Sequence, residues 1–174
     1  MATTTDSTAA QAVVPSTPTT IRRWWHAHLS PEQAGSNSLR AGLRRQSDAA
    51  LLLEPAVVEL LASVSAVKGR PVSYAEGQAL VDLVRLLGDV RADASTPLAR
   101  GLATCSNGGN LSAGRLRAIV TAPDQRGFAY ALRQVLPLLD REASVQSVAG
   151  LFLGWPFEDT RKRFAFDIYS NIQK

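Results

Sequence analysis

Glu54-Pro55-Ala56-Val57-Val58-Glu59-Leu60-Leu61-Ala62-Ser63-Val64-Ser65-Ala66-Val67-Lys68-Gly69 decides the fold class. Pro55 suits the first helical position, because its missing N–H is one that a helix start leaves without a partner. Val57, Leu60, Leu61 and Val64 recur at i, i+3, i+4 and i+7, one face of an α-helix, and Lys68-Gly69 carries the basic last turn and glycine stop. The same grammar follows at once. Ser73-Tyr74-Ala75-Glu76 is a capping box, with Leu80, Leu83, Val84 and Leu87 as the apolar stripe behind it.

Working outward, Ile21, Trp24, Trp25 and Leu29 share one face of a short helix. Ser30-Pro31-Glu32-Gln33 reads as a further helix start leading through Leu39 and Leu43. Thr96-Pro97 opens a helix over Leu98 to Thr104, which the Ser106–Asn110 loop ends, and Ser112 caps a helix through Leu116, Ile119 and Val120. Asp124 starts a helix with Phe128, Leu132, Val135 and Leu139 inward, which Pro137 kinks or shortens. Val145 to Trp155 is apolar enough for a buried strand. Gly150 and Gly154 at a spacing of four instead suit a close helix crossing, and no second strand candidate exists to pair with it. Pro156 opens the terminal helix, with Phe164, Ile168 and Ile172 inward. The sum is an all-α protein of eight to ten short helices in two small packed helical bundles, residues 21–94 and 95–174, meeting near Arg91 to Ser95. Residues 1–20, a Thr/Ala/Ser/Pro tract with one charge, are expected to be a disordered tail.

The residue inventory bounds the function. One cysteine, Cys105, permits no intramolecular disulfide and no thiolate zinc cluster, which suits a reducing cytoplasm. No stretch approaches the ~20 apolar residues of a membrane span, so no membrane partner is expected. His26 and His28 are the only histidines, and at i, i+2 they diverge on a helix, where a shared metal needs i, i+3 or i+4. Glu158-Asp159 fits a helix dipole better than a magnesium site. The glycines of Ser106–Asn110 lack the Lys-Ser/Thr of a phosphate loop. The chain is therefore expected to be no enzyme and to need no cofactor or metal.

The formal charge is +4, carried almost entirely by Arg, whose planar fork matches phosphate in a way Lys does not. Arg40, Arg44 and Arg45 follow one another along a short helix. Arg100, Arg115, Arg117, Arg126 and Arg133 populate the second half, and Arg161, Lys162 and Arg163 open the last helix, where the dipole disfavours cations and an anionic partner would relieve them. Leu98 to Val120 also has the outline of a helix-turn-helix with Arg115 and Arg117 on its second helix, although few base-reading side chains stand there. A protein-only adaptor is the third reading.

Leu39-Arg40-Ala41-Gly42-Leu43-Arg44-Arg45 after a Trp-containing helix, Leu98-Ala99-Arg100-Gly101-Leu102-Ala103, Arg115-Leu116-Arg117-Ala118-Ile119-Val120, Leu132-Arg133-Gln134-Val135-Leu136 and a Trp155 turn before a basic last helix occur in this order. In that order and spacing the chain resembles the small subunit, CasB, of the type I-E CRISPR surveillance complex Cascade, over nearly everything from Trp24 onward. The resemblance implies a two-part helical protein without catalytic role. It implies two copies beside the other Cascade subunits, contacting guide RNA and target DNA backbones and steadying the displaced strand in antiviral defence. Arg44, Arg45, Arg100, Arg115, Arg126 and Arg133 are then the candidate backbone contacts, and Arg117, beside Arg115 on the same helix, is a further nucleic-acid-binding candidate from the residues themselves. Where the family is basic beside the last Trp, this chain has Pro156, Phe157, Glu158 and Asp159, which moves the expected contacts to Arg161 and Arg163. The tail before Ile21 has no counterpart in the family. Such a protein leaves sequence reading to guide–target pairing and needs phosphate contacts rather than base-reading groups.

Overall fold

Capping side chains set most of the helix starts. The structure, a computed structural model, describes residues 16–173. Ser16 accepts from the Thr19 amide and opens α1 (Thr17–His28), with Pro18 in its first turn. Helix α1 thus begins four residues before Ile21, so the expected tail boundary at residue 20 is corrected. The Ser16 cap and Pro18 supply a start signal that the Thr-rich composition obscured, and residues 1–15 of that tail lie outside the described residues. Ser73 and Glu76 form the reciprocal capping box of α5 (Tyr74–Leu87), and Glu54 with Pro55 opens α4 (Pro55–Lys68), which Gly69 ends at φ 65°.

Ser30-Pro31-Glu32-Gln33 does not open a helix. The Gln33 amide bonds the Ser30 carbonyl in a turn, and Gly35 at φ 84° sets the chain into α2 (Ser36–Arg45). Gly35 in the left-handed region interrupts what Pro31 would have started. A one-turn helix, α3 (Asp48–Leu51), follows under a Ser47 cap.

In the second half come α6 (Leu98–Asn107), α7 (Ala113–Val120) capped by Ser112, and α8 (Gln125–Val135) capped by Asp124. Pro137 ends α8 in a 3-10 turn, Leu136–Leu139, as its missing N–H requires. The apolar segment is a helix, α9 (Val145–Gly154), and its Gly150 lies against Pro18 of α1. The last helix, α10 (Glu158–Ile172), starts two residues after Pro156, which sits in the preceding turn.

Ten α-helices stand among the described residues, so the chain is all-α as expected. The two sets of helices share one core. Helix α1 packs on α4 and on α9, and α5 packs on α8 and α9, so buried side chains from Ile21 to Ile168 form a single cluster. Residue 94 therefore does not divide the core. Between the halves, β1 (Ala92–Asp93) pairs in parallel with β2 (Glu142–Ala143), a two-residue ladder that strand patterning is too short to reveal. The tryptophans fasten this arrangement, each burying a large apolar ring while its indole N–H finds a carbonyl. Trp24 donates to Ala56, Trp25 to Leu87 at 3.1 Å, and Trp155 to Ala122 at 3.0 Å while stacking on Phe128.

Candidate nucleic-acid interface

Arg40 leaves the basic surface altogether. It is 2% exposed, lies over the Trp25 ring, and donates to the carbonyls of Gly88, Val90 and Leu29. These carbonyls belong to the ends of α5 and α1 and the residues after them, so a cation is well placed there by the helix dipoles. Burial, reinforced by the neighbouring charges of Arg91 and Arg44, lowers its pKa to about 10, which leaves it charged at neutral pH. Arg40 is a structural clamp. Arg85 acts similarly, reaching the Leu43 and Gln46 carbonyls at the end of α2 and Asp48 at the start of α3.

Arg44 of α2 and Arg126 and Arg133 of α8 pair with carboxylates of α5 and of the turn after it. Asp89, in the turn after α5, pairs with Arg44 at 3.0 Å and with Arg133 at 3.2 Å, and Asp82 within α5 pairs with Arg126 at 2.9 Å. The Arg126 guanidinium is held even more firmly charged by the hydrogen bond and the charge of Asp82. Arg133 Nε is close enough to Asp89 for an ion pair, but it is buried without a hydrogen-bond partner. The pair is held by charge attraction at 3.2 Å without hydrogen-bond geometry.

Along α8, Arg126, Tyr130 and Arg133 stand at i, i+4 and i+7, the spacing of one helix face. Tyr130 is 69% exposed. Beyond it, Arg115 of α7 and Gln134 line the same groove as Tyr130. A strip thus runs from Arg44 over Arg133 and Arg126 to Tyr130 and Arg115, with Arg45 exposed beside Arg44. Among the described residues no carboxylate pairs with Arg45, Arg100, Arg115, Arg117, Arg161 or Arg163.

Not every expected site residue joins the strip. Arg100 and Arg163 are exposed on α6 and α10, which pack on each other. Arg117 is exposed on α7, whose Ile119 is buried. Arg161 is half-buried beside Val120 and Lys162. At the start of α10, Glu158 and Asp159 occupy the first turn and Glu158 pairs with Lys162 at 2.9 Å, so carboxylates of the chain itself already answer the dipole there. His26 turns to Asp93 and His28 to Glu59, and they do not converge. Among the described residues no three His, Cys, Asp or Glu side chains are grouped to hold a metal ion, and no helix is long and apolar enough to cross a membrane.

Sequence reasoning missed Asp82, Asp89, Tyr130 and Gln134. The carboxylates were visible seven positions apart, one in α5 and one just past its end, but their partners lie on helices more than forty positions away. Tyr130 was visible between Arg126 and Arg133 on one helix face.

A family model described as CRISPR-associated protein Cse2 matches residues 37–169, from α2 into α10, leaving α1 ahead of the matched stretch. No curated protein and no solved structure matches the chain. The match covers most of the chain and includes every arginine of the strip, and so the chain belongs to the Cse2 family, the small subunit of type I-E Cascade.

Proposed function

We propose that this chain is a non-catalytic subunit that holds nucleic-acid backbones within type I-E Cascade. In that role it contacts guide RNA and target DNA, steadies the displaced strand, and works in the cytoplasm beside a second copy of itself and the other subunits. The observation that carries the reading is the strip of Arg44, Arg133, Arg126 and Arg115 laid over α2, α8 and α7. Arginine forks grip phosphate without reading sequence. The exposed side of α7 supports the same view, because Gly114, Arg115, Arg117 and Ala118 offer charge and no amide groups for base edges.

The test is binding of the intact chain to labelled single-stranded and duplex DNA of unrelated sequences over a range of salt. With four phosphates neutralised, log affinity falls against log salt with a slope of about −3. Affinity is also expected to be indifferent to sequence. A salt-insensitive affinity contradicts the reading, and a preference of ~1000-fold for one duplex would instead mark a helix-turn-helix regulator built on residues 98–120.

A further inference from the structure

Between α7 and α8 an open groove of about 510 Å³ has a floor of small apolar side chains, among them Ala118, Ala122 and Ala131, and a rim of Arg115, Tyr130 and Gln134. This size falls in the range that takes small aromatic ligands. Tyr130 presents most of its ring to solvent, although it sits on a helix whose other aromatic side, Phe128, is fully buried. Gln134 follows Tyr130 by four positions, so its amide, with both donors and an acceptor, lies one turn along the same face. Arg115 stands across the groove, and Arg126 and Arg133 flank Tyr130 on α8.

We propose that this groove takes an unpaired nucleobase, stacked on Tyr130 with the Gln134 amide at its edge and Arg115 on an adjoining phosphate; the inference rests on the nucleic-acid reading above. A duplex keeps its base faces inside the stack, so only a single strand can offer a face to Tyr130. Charge selects the occupant. An apolar floor alone would suit any greasy partner, but a floor edged by Arg115, with Arg126 and Arg133 on the same helix as Tyr130, suits an anionic chain that carries flat rings. The groove therefore makes the subunit a selector of single strands.

The test compares the full chain bound to a short thymidine oligonucleotide and to its abasic counterpart, with a matched RNA pair beside them. Stacking of one base is expected to favour the intact strand over the abasic one by about tenfold or more, in the DNA pair or the RNA pair. Tyr130→Ala removes that preference and Tyr130→Phe keeps it, while the salt slope stays the same in both because no phosphate contact is lost. Equal binding of intact and abasic strands by the unaltered chain overturns the stacking site while leaving backbone binding in place, and so does a preference that survives Tyr130→Ala. Absence of any salt-dependent binding to either strand removes the nucleic-acid reading and the stacking site together.

Discussion

Asp89, in the turn that follows α5, stands 3.2 Å from Arg133 of α8, Oδ2 to Nε, while its other carboxylate oxygen accepts from Arg44 of α2 at 3.0 Å. One carboxylate therefore draws together arginines from two helices far apart in sequence and subtracts one charge from the surface that they form. For a phosphate bound by these arginines, the second effect opposes binding. Unit charges ~7 Å apart in water interact by ~0.6 kcal/mol. Asp89→Asn is expected to raise affinity for single-stranded DNA by about threefold at low salt, read by fluorescence anisotropy. Weaker binding by this variant would mean that the carboxylate matters more for aiming Arg44 and Arg133 than for the charge it removes.

Arg40 holds three backbone carbonyls at the ends of two helices, and among the described residues no other side chain donates to them. A buried acceptor stripped of its donor costs about 1–3 kcal/mol. Arg40→Ala is therefore expected to lower unfolding stability by about 3 kcal/mol or more, measured by urea denaturation. Arg40→Lys is expected to recover little, since a single ammonium cannot match the spread of a guanidinium. A stable Arg40→Ala variant with weakened nucleic-acid binding would return Arg40 to the interface.

Asp93 links α1 to the start of α9, accepting from Arg22 at 2.6 Å, His26 at 2.7 Å and the Val145 amide at 2.9 Å. Burial pushes its carboxyl up, but these donors, led by Arg22, outweigh burial and hold it below its ordinary value of 3.8. A carboxylate whose pKa is depressed by folding adds stability above its unfolded pKa, and that stability is lost as pH falls through the folded value. Stability of the chain is thus expected to drop below pH ~4, and Asp93→Asn should be less stable at neutral pH and show a flatter acid limb in pH-dependent thermal unfolding. An unchanged acid limb would show that Asp93 has no such role.

Local chemistry made the helices legible: Ser73 with Glu76, Glu54 with Pro55, Ser112, and Asp124 each sit where a helix starts. Ser30-Pro31 misled because the deciding residue was Gly35, whose positive φ belongs to the chain path and leaves no periodic trace. The joined core was illegible for another reason. The stripe of Ile21, Trp24, Trp25 and Leu29 says that α1 is buried, but not that it lies between α4 and α9. Arg40 and Arg44 illustrate the limit for the site. Four positions apart on one helix, they read alike as basic residues, yet one is enclosed under carbonyls and the other is exposed beside Asp89. Burial and long-range pairing decide which arginine is free for phosphate, and neither has a local signature.

The most direct test is retention of target DNA by a tagged guide-RNA complex purified with this subunit, comparing the unaltered chain with Arg44, Arg115 and Arg133 all changed to Gln. Gln removes the charge without setting a new carboxylate against Asp89. The expected result is that both proteins fold and copurify with the complex, while the triple variant loses target DNA by about tenfold or more at moderate salt, as three lost phosphate contacts imply. Copurification of the variant with undiminished DNA retention would contradict the assignment of this arginine strip as the nucleic-acid interface.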